Sequence, residues 1–220
     1  MQPLVATGHT WVTAPVFMHR SLDISHLPID TRANCSAIVS GVAMSAWTDR
    51  VRRSWAAFVG PEASPTTTVV TLAAGGAGLI GGAWSARRRG AGPATTTVIA
   101  LLGFDLGGGV YVNNTRACAR WYERPVQGTR EHLAFAALHV HPAAIAYADR
   151  SIGAREDAIR WSLAHYGYMM AAATAIRLLP QYRRPLGVVL TGGGLLLDRV
   201  LGSSQVAGWF AGAYYPKLLM

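Results

Sequence analysis

Five ionisable side chains lie within otherwise apolar stretches of this sequence: Asp105, His132, His139, His141 and His165. Such groups are costly when they face lipid, so they are expected to point into a helical bundle and to mark a site. Aspartate and neutral imidazoles bind Zn²⁺ or Fe²⁺ at about 2 Å and can leave a position open for water or substrate. We therefore expect Asp105, His139, His141 and His165 to hold a divalent metal, zinc or iron, that supplies a hydroxide nucleophile.

Three of the histidines fall in one short stretch, EHLAFAALHVHP. His132 and His139 are seven residues apart, which places them roughly 10 Å apart along a helix, too far for one ion. His132, beside Glu131, is predicted to be a catalytic proton shuttle. Pro142 disfavours helical geometry at His141 and lacks an amide. A helix break there would let His139 and His141 face the same point.

The elements that position these residues are long apolar runs. The chain is 51% hydrophobic and only 14% charged, against about 25% charged in an average soluble domain. A helix needs roughly 20 mainly apolar residues to cross a bilayer. The sequence therefore predicts an all-α, polytopic helical membrane protein with five or six transmembrane spans, at residues 66–84, 93–114, 133–148, 161–176, 185–197 and, as the shorter sixth, 205–220.

The net charge of +9 comes mainly from arginines in the connectors between the apolar runs. In a soluble protein this charge would suggest nucleic-acid binding. Arginines that flank apolar runs are instead typical of anchors at the membrane edge. We expect the lipid bilayer to be a partner, nucleic acid not to be one, and the protein to lie in the inner (plasma) membrane as a multi-pass protein.

The chain is predicted to have three parts. Residues 1–36 have scattered prolines and no periodicity, which indicates a poorly ordered N-terminal arm. Residues 37–60 place apolar side chains, among them Trp47 and Trp55, near helical spacing opposite charged ones. This pattern predicts an amphipathic helix at the membrane interface. Residues 66–220 form the transmembrane helical domain.

One glycine motif suggests a soluble alternative. Gly76, Gly78 and Gly81 fit the pattern G-x-G-x-x-G after a β-branched stretch, which is typical of a nucleotide-binding α/β enzyme. The helix that would have to follow contains two more glycines and has no apolar face after Trp84. The motif therefore favours a membrane helix over a nucleotide site.

The glycines also predict close helix packing. Ala74, Gly78 and Gly82 repeat every four residues, and Gly103 and Gly107 do the same in the next apolar run. Small residues at this spacing let two membrane helices approach closely. Aromatic residues near the ends of runs, including Trp161, Tyr214 and Tyr215, are typical of a membrane interface.

The function predicted from these features is a metal-dependent membrane enzyme that acts on a lipid or small amphiphile. A first alternative is a proton-coupled small transporter in which Asp105 and the histidines titrate. A second is a non-catalytic accessory membrane protein held together by its glycine faces.

Overall fold

The computed structural model describes residues 29–125 and 127–219, and the regular structure in these ranges is helical, with no strand. The predicted all-α class is therefore confirmed. The chain divides into two units, Met1–Arg50 and Val51–Met220. The boundary falls within the first helix, α1 (Ile29–Val59). This helix includes nearly all of the predicted segment 37–60 and also residues 29–36 of the predicted arm, whereas residues 1–28 of that arm lie outside the described residues.

The second unit is a bundle of helices joined by short connectors. Pro65 and Pro93 each stand in the first turn of a long helix, where the missing amide costs no hydrogen bond. Ser64 and Thr115 cap helices by accepting hydrogen bonds from backbone amides. The helices are α2 (Pro65–Arg88), α3 (Pro93–Asn113), α4 (Arg116–Tyr122), α5 (Thr129–Ala137), α6 (His141–Ser151), α7 (Ala158–Leu178), α8 (Arg183–Leu201) and α9 (Phe210–Leu219).

Helices α2 and α3 form a tight hairpin through the glycines that the sequence singles out. A Cβ atom added to Gly78 would overlap the carbonyl oxygen of Gly103, and one added to Gly103 would overlap that of Gly78. A Cβ atom added to Gly82 would also overlap the carbonyl oxygen of Ile99, and one added to Gly107 would overlap that of Ala74, although both contacts are less close. The predicted small-residue packing is confirmed, because only glycine leaves room for two backbones at this distance.

The glycine motif Gly76-x-Gly78-x-x-Gly81 lies in the middle of α2. A phosphate-binding turn would need a strand before it and a helix beginning at it. The residues before the motif are helical instead, and residues 29–125 and 127–219 contain no strand. The α/β fold that the nucleotide-binding alternative requires is therefore wrong.

The core of the bundle is built around α9, which the sequence predicts as part of a sixth span. Phe210, Tyr214 and Tyr215 of α9 are fully buried, together with Trp161 of α7. The prediction that Trp161, Tyr214 and Tyr215 lie at a membrane interface is therefore wrong. Helix α9 has ten residues, a length of about 15 Å, which is half of a bilayer core of about 30 Å.

Two helices within the described residues are long and apolar enough to cross a membrane: α2 and α3, each with a mean hydropathy of 1.4. The predicted span 133–148 is divided between α5 and α6, with a break at residues 138–140. Helices α7 and α8 have 21 and 19 residues but carry arginines within their sequences. Of the five or six predicted spans, length and composition therefore support α2 and α3.

Candidate functional site

The carboxylate of Asp105, near the middle of α3, joins three helices. Its Oδ2 atom lies 2.8 Å from Nε2 of His141 at the start of α6. The same oxygen accepts a hydrogen bond from Nζ of Lys217 on α9, at 2.5 Å. The side chain of Asp105 remains 42% exposed, whereas that of Lys217 is 1% exposed. The carboxylate of Asp105 therefore contacts the buried ammonium of Lys217 and the imidazole of His141, and it also reaches the outer surface of the bundle.

The helix break before Pro142 positions the two neighbouring histidines. Helix α5 ends at Ala137 and α6 begins at His141, with Pro142 in its first turn. The rings of His139 and His141 are stacked, with centroids 5.2 Å apart and planes 14° from parallel. The hydroxyl of Tyr214 donates a hydrogen bond to the carbonyl of His139 at 2.9 Å and holds the break against α9. The predicted helix break is therefore present and the two rings are neighbours, but they stack on each other and do not face the same point.

The hydrogen bonds of His139 and His141 define their neutral tautomers. Nδ1 of His139 donates to the carbonyl of Phe135 at 2.8 Å, which leaves Nε2 with a free lone pair. Nε2 of His141 donates to the carboxylate of Asp105, which leaves the lone pair on Nδ1. Each ring thus has one nitrogen fixed by an acceptor and one available as a base or ligand.

Lys217 reaches Asp105 because α3 has a glycine where the lysine stem passes. A Cβ atom added to Gly109 would overlap the Cδ and Cε atoms of Lys217. Asn113, one turn further along α3, donates to the Lys217 carbonyl at 2.9 Å. Asn114 donates to the carbonyl of Pro216 at 3.3 Å. The end of α9 is thereby fixed to α3 by these side-chain hydrogen bonds as well as by the ion pair with Asp105.

A cavity of about 110 Å³ lies beside Lys217. Its polar lining includes Asn113, His132, Arg177 and Arg183, and its walls are mostly apolar side chains of α5, α7 and α9. Lys217 contributes to this lining and also binds Asp105. The side chain of Lys217 therefore belongs both to the cavity lining and to the ion pair with Asp105.

His132, the predicted proton shuttle, lines this cavity rather than the Asp105 cluster. Its Nδ1 donates to the carbonyl of Gly128 at 2.8 Å, and its ring meets that of Tyr122 edge-on. Cys118 also lines the cavity and is buried. Burial raises the pKa of its thiol to about 11. Cys118 is therefore neutral at physiological pH and is no nucleophile there.

His165 lies in a different part of the bundle from the other predicted metal ligands. It is fully buried, and its Nδ1 atom is hydrogen-bonded to the hydroxyl of Tyr215 at 2.8 Å. Its Nε2 faces Oδ1 of Asp198 at 3.7 Å, and neither atom has a hydrogen-bond partner among the described residues. Oδ2 of Asp198 accepts from the hydroxyl of Ser203 at 2.5 Å. The structure thus pairs His165 with Asp198 and not with Asp105.

The four predicted metal ligands do not form one coordination shell. Within the described residues, no group of three or more His, Cys, Asp or Glu side chains is arranged to hold a metal ion. Asp105, His139 and His141 come together, but a metal lies in the plane of each imidazole that binds it. The stacked, nearly parallel rings of His139 and His141 share no such plane unless one of them rotates.

One feature of the sequence indicates that Lys217 has a buried partner, although its spacing from other residues does not. The apolar segment 205–220, which is predicted as the shorter sixth span, contains a single cation, Lys217. An ionisable residue inside an apolar segment has a buried partner by default. That rule, applied to Lys217 as it was to Asp105, would have suggested the pair.

Comparison of the chain with family models, curated proteins and solved structures gives no match. The function is therefore inferred from the geometry of Asp105, His141 and Lys217 and of the cavity beside them.

Proposed function

We propose that this chain is an integral membrane enzyme in which Asp105, His141 and Lys217 form an acid–base centre that acts on a lipid or small amphiphile. One observation carries the proposal: a single carboxylate oxygen contacts both the imidazole and the ammonium, while Nδ1 of His141 has no hydrogen-bond partner among residues 29–125 and 127–219. A carboxylate behind a histidine fixes the tautomer of the ring and stabilises the imidazolium form.

The proposed chemistry is general base catalysis by His141. Its Nδ1 would take a proton from a water molecule or a substrate hydroxyl, and Nε2–H would stay bonded to Asp105. The positive charge that forms on the ring is stabilised by that carboxylate, which Lys217 holds in place. A positioned acid or base of this kind accelerates a reaction by roughly 10²- to 10⁴-fold.

The membrane location is supported by the outer surface of the bundle. Besides α2 and α3, helices α7 and α8 expose large apolar side chains that are each at least 60% accessible: Ile159, Leu163, Val188, Val189, Leu196 and Val200. Contiguous exposed apolar surface is unusual on a soluble monomer. We propose α7 and α8 as further spans of a multi-pass protein of the inner (plasma) membrane. Helix α1, which exposes Met44 and Trp47, would lie at the interface.

The test is turnover of defined lipids. Purified protein in phosphatidylcholine nanodiscs would be supplied with phosphatidic acid or phosphatidylglycerol, and products would be followed by mass spectrometry. His141→Gln should lower the initial rate at least 100-fold. The matched control is Asp49→Asn, at an exposed position of α1, which should leave the rate unchanged. Equal rates for wild type and His141→Gln, or no conversion of either lipid by wild type, would contradict the proposal.

The second candidate is a metal-dependent form of the same centre, with zinc or iron held by His139 and His141. It is favoured by the free nitrogens that the two neutral tautomers leave, Nε2 of His139 and Nδ1 of His141. It requires one of the two stacked rings to rotate so that both nitrogens face the same point. Metal analysis of the purified protein tests it. Near-stoichiometric metal that is lost in His139→Ala and retained in His132→Ala supports this form, and metal-free folded protein argues against it.

A further inference from the structure

The cavity beside Lys217 has an excess of positive charge. Three of the side chains that line it are cations, Arg177, Arg183 and Lys217, and none of the lining residues in the described part of the chain is acidic. Arg183 forms an ion pair with Glu123, and Lys217 forms one with Asp105. Both acids lie outside the cavity lining, and each of these two cations is already paired with its acid.

Arg177 has no such counter-ion. Within residues 29–125 and 127–219 it makes no ion pair, and its Nε atom is buried without a hydrogen-bond partner. A buried guanidinium donor that is left unsatisfied costs about 1–3 kcal/mol, and more when it is charged. Because Arg177 lines the cavity and has no counter-ion among the described residues, its guanidinium group is available to an anion that enters the cavity. Planar guanidinium groups bind phosphate and carboxylate oxygens in pairs.

The size of the cavity limits what that anion can be. A volume of about 110 Å³ is well below the roughly 300–1,000 Å³ of pockets that enclose a whole drug-sized ligand. It accommodates a phosphate group but not a whole lipid. Between Arg177 and Arg183, the chain exposes Leu178, Leu179 and Tyr182. An amphiphile with its phosphate in the cavity could therefore extend its acyl chains along an apolar surface.

We infer that this cavity binds the phosphate group of an anionic phospholipid, with Arg177 as the principal donor and Arg183 and Lys217 supporting it. The inference names the chemical class of the amphiphile and so rests on the proposed function. Lys217 links the two sites, because it lines the cavity and holds the carboxylate that orients His141. A bound phosphate would bring the rest of the lipid headgroup toward that centre.

The test is a binding titration on a variant that does not consume the ligand. Dihexanoyl phosphatidic acid, dihexanoyl glycerol and inorganic phosphate would each be titrated into full-length His141→Gln protein in detergent by calorimetry. We expect phosphatidic acid to bind at least tenfold more tightly than either of the other two. Adding Arg177→Gln should weaken phosphatidic acid binding at least tenfold. Arg160→Gln, a matched change at an exposed position of the same helix, should not.

Each contrary result overturns the inference. If phosphatidic acid and dihexanoyl glycerol bind with equal affinity, the cavity does not recognise phosphate. If inorganic phosphate binds as tightly as phosphatidic acid, the ligand is a soluble anion and not a lipid. If Arg177→Gln and Arg160→Gln weaken phosphatidic acid binding equally, the loss reflects the lower net charge of the protein and not a contact made by Arg177. If Arg177→Gln fails to fold, Ala173→Phe, which fills the cavity from the same helix, must abolish binding instead.

The two proposals fail in different ways. If phosphatidic acid binds as expected but wild type converts no lipid, only the acid–base role is wrong. If lipid is converted at a rate that Arg177→Gln does not change, the phosphate site is wrong and the acid–base centre stands.

Discussion

Lys217 Nζ lies 2.5 Å from Asp105 Oδ2, and the two partners differ sharply in exposure: the lysine side chain is 1% exposed and the aspartate side chain is 42% exposed. An ion pair with one deeply buried partner is asymmetric in its energetics. Removing the buried charge leaves a carboxylate that still accepts a hydrogen bond from His141. Removing the exposed charge leaves an ammonium with no partner in the core.

This asymmetry predicts that Asp105→Ala destabilises the protein more than Lys217→Met does. Loss of one partner from a buried pair costs roughly 3–5 kcal/mol, and we expect Asp105→Ala to lie near the low end because the aspartate end of the pair is only partly buried. Lys217→Met should cost about 1 kcal/mol or less, since methionine fills most of the space of the stem. The unfolding temperatures of the two variants, measured in the same detergent, would show which variant is less stable.

The double variant Asp105→Ala/Lys217→Met provides the control for that order. It should be more stable than Asp105→Ala alone, because the unpaired ammonium is gone. If the double variant is as unstable as the sum of the single variants, the two side chains are not energetically coupled.

The glycine contacts between α2 and α3 predict opposite effects for neighbouring substitutions. Gly103→Ala places a methyl group against the carbonyl of Gly78, and overpacking of this kind typically costs about 1–3 kcal/mol. Gly81→Ala has open space around the new methyl group. It should be neutral or stabilising by up to about 1 kcal/mol, because alanine favours the helix. Unfolding temperatures of the two variants test this, and equal destabilisation would argue against the observed hairpin.

Cys118 is predicted to resist alkylation in the folded protein. Its thiol is buried, and burial raises its pKa to about 11. Iodoacetamide reacts with the thiolate, whose population for an ordinary thiol rises near pH 8.5. In a Cys35→Ser background, folded protein should therefore show little labelling between pH 7 and 9, and denatured protein should be labelled rapidly. Rapid labelling of the folded protein at pH 8 would place Cys118 in a more exposed setting.

Asp149 is predicted to be essential for stability without a role in chemistry. This fully buried carboxylate accepts hydrogen bonds at Oδ1 from the hydroxyl of Ser204 and from the amides of Gln205 and Val206, each at 3.0 Å. Its Oδ2 accepts from Arg155. Asp149→Ala leaves these donors unpaired and should cost about 3–5 kcal/mol. Asp157→Ala, at a largely exposed partner of Arg155, should cost less than about 1 kcal/mol. Chemical unfolding compares the two, and similar costs would contradict the role given to Asp149.

Local features of the sequence correctly indicated several parts of the fold. Apolar runs without strand periodicity predicted helices, Pro142 predicted the break that brings His139 and His141 together, and four-residue glycine spacing predicted the contact of α2 with α3. Each of these depends on properties of a single segment: hydrophobic period, a missing amide or a missing side chain. The five or six spans, the bound metal and the role of His132 as a shuttle remain predictions.

Contacts between distant segments depended on the tertiary structure. The sequence identified Asp105, His139, His141 and His165 as buried ionisable residues that need partners, because an unpaired charge in an apolar environment is costly. It could not say which partners, since helix spacing contains no information on which helix faces which. The tertiary structure paired Asp105 with His141 and with Lys217, whose stem fits against Gly109. It paired His165 of α7 with Tyr215 of α9 and Asp198 of α8 in a separate place, because these three helices pack against one another there.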